Sequence, residues 1–286
     1  MWWKSGKSAA RAAMSLAAAL WLGACSPQIM EGGQNARTSQ EARNALSEMS
    51  AALDRASFEF DGEVHWQDAG SASEPAALFH GGSSPSAFYV MLSVTPKDGG
   101  FADDMEIFTR GEEVYMRFAD EVNWEAVGGG ERKSVREEID NWDPRAHVKR
   151  MQALAQNVVF NVPPRGDAGI IRVELDPKAL LAELRRDIAG RSAPEPASTE
   201  RAVEHLSAGS KVDDRPYDGD EELSGTYIVT YDVKTALPKR IEYIERAVYA
   251  DQGARTDDTT RYVFTFRRFG EFVPPDLVGI PERRGG

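Results

Sequence analysis

The sequence predicts an α+β fold in which an antiparallel meander carries amphipathic helices on one apolar face. Three observations predict it. Short alternating strands recur between turn signals, with no room between them for the helical crossovers that parallel strands need. Two helices with capped, proline-led starts follow this meander. Three further alternating strands then close the chain, so the apolar faces of helices and sheet have each other to cover.

The first element lies before the fold. Lys4, Lys7 and Arg11 precede an uncharged apolar run at 12–22, and Gly23 and Ala24 precede Cys25, the single cysteine of the 286 residues. A positive start, a short apolar run and small residues at a cut make an export signal. The run falls short of the roughly 20 residues that cross a bilayer. The ending Leu22-Gly23-Ala24-Cys25 resembles the lipobox of bacterial lipoproteins, which implies a leader at 1–24 and a lipidated, palmitate-type anchor on Cys25. Residues 25–37 are polar and hold Gly and Pro without periodicity, which reads as a flexible tether. A single domain is expected over 38–286. Loss of the three leader cations takes the formal charge from −12 to −15, which argues against nucleic acid as a partner. With one cysteine no intrachain disulfide forms, so packing has to supply the stability.

Thr38 and Glu41 read as a capping box, and Ala42, Leu46, Met49 and Leu53 give one helical stripe to about Arg55. In 57–66, Phe58, Phe60, Val64 and Trp66 alternate with Glu59, Asp61, Glu63 and His65, a strand with one face in a core. Gly62 falls on the inward face, where a missing side chain permits close approach. Strands are expected at 76–80, 87–95, 105–109, 113–119 and, briefly, 123–127. Gly81-Gly82, 97–100 and Arg110-Gly111 are read as the turns. Asp143-Pro144 and Asp176-Pro177 each place a capping carboxylate before a first-turn proline. The stripes behind them are Val148, Met151, Leu154 and Ala155, then Leu180, Leu181, Leu184 and Ile188. A strand at 169–175 lies between, after the break at 161–164. Residues 190–222 are rich in Pro, Ala, Ser and acid, and read as a surface excursion or a disordered segment. Strands at 225–233, 239–250 and 261–269 complete the chain before a proline-rich tail.

The order of lipobox, tether, helix, meander, helical pair and closing strands resembles the LolA/LolB and LppX/LprG type of half-barrel lipoproteins, and more so their uncharacterised Gram-positive relatives. The resemblance rests on the opening at 42–66, on Asp232-Val233-Lys234-Thr235-Ala236-Leu237-Pro238 entering a turn, and on the aromatic strand and prolines of 266–281. It implies a curved antiparallel β-sheet, an incomplete barrel, with amphipathic helices packed on its concave face and an apolar cavity between them. The candidate wall is Phe58, Phe60, Trp66, Phe88, Val90, Leu92, Met105, Ile107, Val114, Met116 and Phe118, rich in the aromatics and methionine that line apolar pockets. The same stripe describes a solid core.

Reactive constellations are absent from the sequence. His65, His80, His147 and His205 are too widely spaced for a zinc pair. The acids Asp213, Asp214, Asp218, Asp220, Glu221 and Glu222 lack the spacing of a calcium loop and read as a solvated linker. No nucleophile elbow or phosphate loop occurs, and neither an enzymatic role nor a cofactor or metal is expected. The reading is therefore an extracytoplasmic, lipid-anchored protein that binds or carries a lipid or other apolar ligand. It would sit on the cell membrane, or on the outer membrane if the cell has two. The alternative is an envelope scaffold or sensor for a protein partner.

Overall fold

The computed structural model describes residues 36–67, 74–94, 103–118, 121–129, 131–165, 167–191, 222–251 and 254–273. The leader, the tether, Cys25, the turn at 97–100, most of the 190–222 excursion and the proline-rich tail lie outside the described residues.

Eleven antiparallel strands form one sheet: β1 (Phe58–Gln67), β2 (Glu74–Ser84), β3 (Ala87–Val94), β4 (Asp103–Arg110), β5 (Glu113–Phe118), β6 (Glu125–Ala126), β7 (Ala155–Arg165), β8 (Ala168–Leu175), β9 (Glu222–Asp232), β10 (Pro238–Asp251) and β11 (Ala254–Phe269). Their order is β6-β5-β4-β3-β2-β1-β11-β10-β9-β8-β7. Two meanders thus make two wings, joined where β1 pairs with β11. Helix α1 (Ala36–Arg55) precedes the sheet, α2 (Glu131–Ile139) and α3 (Pro144–Leu154) link the wings, and α4 (Pro177–Arg191) follows β8. This is the expected α+β curved sheet with helices on its inner face.

The α1 stripe of Ala42, Leu46, Met49 and Leu53 is buried, and each large side chain in it contributes about 1.5–3 kcal/mol. At its start, Ser39 Oγ and Arg43 Nη2 donate to Val158 O and Gln156 O of β7, at 3.0 and 3.1 Å. Its end is tied to β2 through Arg145 of α3. That guanidinium donates to Leu53 O (3.2 Å), Ala56 O (2.6 Å), Ser84 O (2.9 Å) and Ser83 Oγ, and lies 4.8 Å over the Phe58 ring. One helix therefore runs from edge strand β7 to the neighbourhood of the joint between the wings. The α1 contacts occupy two carbonyls of edge strand β7. At the opposite edge, β6, Val127 N–H on Val114 O (2.9 Å) and the Glu121 carboxylate on Phe118 N–H (3.1 Å) occupy β5. Parts of both borders are thus occupied, which limits edge pairing there.

Several expectations are corrected. Helix α1 begins at Ala36, so Thr38 lies inside it and is not its cap. Gly81 and Gly82 are strand residues of β2, not a turn: a side chain at Gly81 would meet the Tyr89 carbonyl and then the Phe60 ring, and one at Gly82 the Phe272 ring. The turn comes at Pro85-Ser86. Helix α2 was not expected, since Val135 and Ile139 are its only apolar residues. Ala155 ends the α3 stripe and opens β7, which runs through Pro163-Pro164. An edge strand tolerates prolines because one side of it needs no donors. Strands β10 and β11 extend to Asp251 and Ala254, where 251–258 was read as turn.

Other local readings hold. Asp143 Oδ1 accepts from Arg145 N–H at 2.9 Å, and Asp176 Oδ1 from Lys178 N–H at 2.8 Å, each before its proline. Asp232 Oδ1 accepts from Lys234 N–H, Thr235 N–H and Thr235 Oγ1 at 3.0, 3.1 and 3.2 Å, which bends the chain into the left-handed Ala236 (φ 56°). That is the physical content of the D-x-x-T-x-L-P pattern.

Candidate functional site

Strand register arranges the inner face in rows that cross both wings. The longest runs Phe118, Met105, Leu92, Phe79, Gly62, Phe264, Ile241, Val229, Ile171 and Phe160, from β5 to β7. It has no polar side chain. Gly62 is its one gap, and the Phe79 ring fills it, so that a Cβ at Gly62 would overlap that ring. Trp142, in the turn between α2 and α3, sets its ring edge-on against Phe79 at 5.2 Å. Glycine, phenylalanine and tryptophan together fasten the helices to the middle of the sheet.

All eleven residues of the proposed wall belong to this inner face and to one core. Phe58, Phe60, Phe88, Val90, Leu92, Met105, Ile107 and Val114 are buried, while Trp66, Met116 and Phe118 are half-buried against the rest. They lie in the β1–β5 wing, and Phe58 meets α3 through the Arg145 guanidinium 4.8 Å over its ring.

The next row was not foreseen. It reads Val94, Ala77, Val64, Tyr262, Tyr243, Tyr227, Val173 and Val158, so three tyrosines stand together where the β9–β11 strands cross it. Tyr227 and Tyr243 stack at 4.4 Å, and Tyr243 and Tyr262 at 6.1 Å. Tyr227 Oη lies 2.9 Å from His147 Nδ1, and His147 Nε2 lies 2.9 Å from Asn141 O. A carbonyl only accepts, so Nε2 carries the proton and Nδ1 accepts from the tyrosine. Burial drives the His147 pKa down to about 3, with Arg150 adding to the effect. Fully buried, neutral and bonded at both nitrogens, His147 acts as a pin between α3 and β9.

Beyond the tyrosines the face turns charged. Tyr243 Oη donates to Glu245 at 2.5 Å, and Arg150 meets Glu183 of α4 at 3.2 Å and Glu245 at 3.9 Å, with its guanidinium 5.0 Å over the Tyr243 ring. Burial alone would favour loss of the Arg150 proton, but the two tyrosines and two carboxylates hold the guanidinium well above its usual value. Burial, then Glu245, then Glu138 push the Tyr262 hydroxyl up, so both carboxylates act on that ring. Glu138 is itself buried and accepts from Asn141 Nδ2 at 3.2 Å.

One polar atom of this region stands apart. Trp142 is 0 % exposed, its ring is also edge-on to Tyr262 at 6.4 Å, and its Nε1 has no hydrogen-bond partner among the described residues. A buried donor left unmade carries a penalty of about 1–3 kcal/mol.

On the outer face a separate small core of Ala87, Phe108, Tyr115 and Trp124 is shielded by Arg117, which stacks 4.7 Å over Trp124 and pairs with Glu106 at 2.6 Å. Trp124 is thus a packing residue. Among the described residues no cluster of three or more His, Asp or Glu side chains could hold a metal, and no helix is long and apolar enough to cross a membrane.

No protein-family model matches the sequence, and no curated protein matches it. Among solved structures the chain is similar to LprF from Mycobacterium bovis, with 14% identity and a TM-score of 0.41 over 84% of this chain and 98% of that one. It is also similar to a DUF1329 family protein from Desulfovibrio piger, with 8% identity and a TM-score of 0.29 over 81% of this chain and 92% of the other. The MucA/MucB complex of Pseudomonas aeruginosa matches with 12% identity and a TM-score of 0.24, over 82% and 59%. These likenesses concern the course of the chain and assign no ligand, partner or reaction.

Proposed function

We propose that the chain is an extracytoplasmic lipoprotein, held on a membrane by lipid on Cys25, that takes the acyl part of an amphiphile between its β1–β5 wing and the helices. One observation carries the reading: the dry row of Phe79, Leu92 and Met105 runs out to Phe118, which with Met116 leaves an adaptable, half-buried aromatic and methionine margin. An acyl chain that leaves water for such a surface gains about 0.8 kcal/mol per CH₂. An anchor near the bilayer would keep the margin close to its source, and the chemistry needed is binding without bond making. A second reading, a scaffold for an envelope protein, finds support in Leu78 and Met91, diagonal neighbours on the outer face that are 53% and 37% exposed.

The test uses the full chain made in a bacterial host, extracted in non-ionic detergent and weighed by native mass spectrometry. The proposal expects a chain starting at a diacylglyceryl Cys25, further lipid bound non-covalently, and loss of that lipid in Met116→Trp, which fills the margin at a half-buried position, with an unchanged melting temperature. An unlipidated chain would refute the anchor. No bound lipid in the wild type, even after addition of monoacylglycerol, would refute the carrier and favour the scaffold.

A further inference from the structure

Most polar groups on the inner face have partners. His147 is bonded at both ring nitrogens, Tyr243 to Glu245, and Arg150 to two carboxylates. Trp142 Nε1, described above, is fully buried and has no hydrogen-bond partner among the described residues. Phenylalanine would supply the same edge contact with Phe79 without a donor to strand. A tryptophan kept here therefore needs an acceptor that the described chain does not provide, and native structures rarely leave such a group unexplained.

Its position says what kind of acceptor fits. Phe79, against which the indole packs, belongs to the dry row that continues through Leu92 and Met105 to Phe118, the surface proposed for an acyl chain. Tyr262, its other ring neighbour, begins the polar row. The indole stands where an apolar lining gives way to a polar one, and that boundary corresponds to the junction of chain and head in an amphiphile. The charges nearby select further. Glu138, at the end of α2 and bonded to Asn141 of the turn, is buried, and Glu183 and Glu245 flank Arg150, so three carboxylates stand against one guanidinium already engaged by two of them. A free carboxylate or a phosphate brought to this place would meet more negative than positive charge. A neutral carbonyl would not.

Resting on the acyl-binding reading above, we infer that Trp142 reads the carbonyl of a neutral acyl ester: its Nε1–H donates to the ester C=O while the chain lies along the Phe79–Phe118 row. The ligand class is an uncharged ester-linked lipid, rather than a fatty acid anion or an alkyl ether.

A matched pair tests this: 1-monopalmitoylglycerol, and 1-O-hexadecylglycerol, which has the same chain length and head but no carbonyl. Both are titrated into the full chain in non-ionic detergent, with occupancy read by native mass spectrometry, and palmitate is run beside them near neutral pH. The expected result is a preference of about tenfold for the ester over the ether, the factor for about 1.4 kcal/mol, and weaker occupancy by palmitate than by the ester. Trp142→Phe should bring the ester–ether ratio to about one by lowering ester binding alone. Equal binding of ester and ether to the wild type, which needs no variant, would overturn the inference while leaving acyl binding intact. So would a Trp142→Phe protein that keeps the preference. Binding of neither lipid would overturn the acyl-binding reading as well, which separates the two failures.

Discussion

Replacing His147 by glutamine should remove an acid-sensitive part of this protein's stability. In the folded chain the imidazole is neutral, with its pKa held at about 3 by burial and by Arg150, against 6.5 for the free side chain. Between these values the unfolded chain takes a proton that the folded chain refuses, so stability falls as pH falls through that window. From the two values, the loss is about 1.4 kcal/mol on going from about pH 7.5 to about pH 5.5, and about 1.3 kcal/mol more by about pH 4.5. Glutamine can accept from Tyr227 Oη through its amide oxygen and donate to Asn141 O through its nitrogen, which preserves the two hydrogen bonds without a titrating ring. Asp140, pushed up to about 6 by burial and by Asp143, works in the opposite direction but is common to both proteins. The assay is urea unfolding of wild type and His147→Gln across this range, with the difference plotted against pH. The variant is expected to be the weaker of the two near pH 7.5, through lost ring packing against Phe264 at 4.7 Å, and to close part or all of that gap on acidification. A difference independent of pH would refute the assignment of a neutral, proton-refusing His147.

Two further perturbations probe the frame around the site. Gly62→Ala should destabilise by about 1–3 kcal/mol, because the new methyl group displaces the Phe79 ring. Adding Phe79→Leu should recover part of that loss in thermal unfolding, and a double variant no better than the single would count against the overlap. Arg145→Lys keeps the charge but not the fork of donors that holds Leu53 O, Ala56 O and Ser84 O. It should lose about 2–3 kcal/mol, with amide exchange rising first at the end of α1; uniform exchange across the sheet would contradict a local pin.

How much of this was legible in the residues depends on how local the cause was. The β1 alternation, the two Asp-Pro caps and the Asp232 turn are set by neighbours in sequence, and they were readable. Gly62 was read as a place of close approach, and Phe79 is what approaches. Gly81 and Gly82 were misread because a glycine pair signals a turn, whereas here it makes room for the Tyr89 carbonyl and for rings that arrive from Phe60 and from Phe272. Helix α2 hid because it offers only two apolar residues to the core, and β7 because its prolines look like a break unless the strand is known to be an edge. Of the apolar row, Leu92, Met105 and Phe118 followed from period-two patterning, whereas Phe79, in a strand read only as 76–80, and Phe160, in the unexpected β7, did not enter the predicted wall. The polar row did not follow, since in such a pattern Tyr227, Tyr243 and Tyr262 count simply as large inward residues. The partner that gives Tyr227 its meaning, His147, lies 80 positions away. A search for paired histidines passes over a histidine whose partners are a phenol and a backbone carbonyl.

The joint between the wings has a consequence for how the molecule is made. Phe58 pairs with Phe269, and Gly270 N–H donates to Ser57 O at 2.6 Å, so the middle of the sheet is built from the first strand and the last. A growing chain exposes β1 long before β11 exists, and the loop closed by their pairing spans nearly everything in between, an arrangement that slows folding. The two wings have to form as separate halves and meet at a seam. Truncation inside β11 would therefore not trim a margin. It would open the sheet at its centre and leave β1 and β10 each with a fresh, hydrophobic edge, of the kind that pairs with other chains. The coverings on β5 and β7 guard the outer borders of this molecule, and at its midline the last strand to be synthesised is the guard.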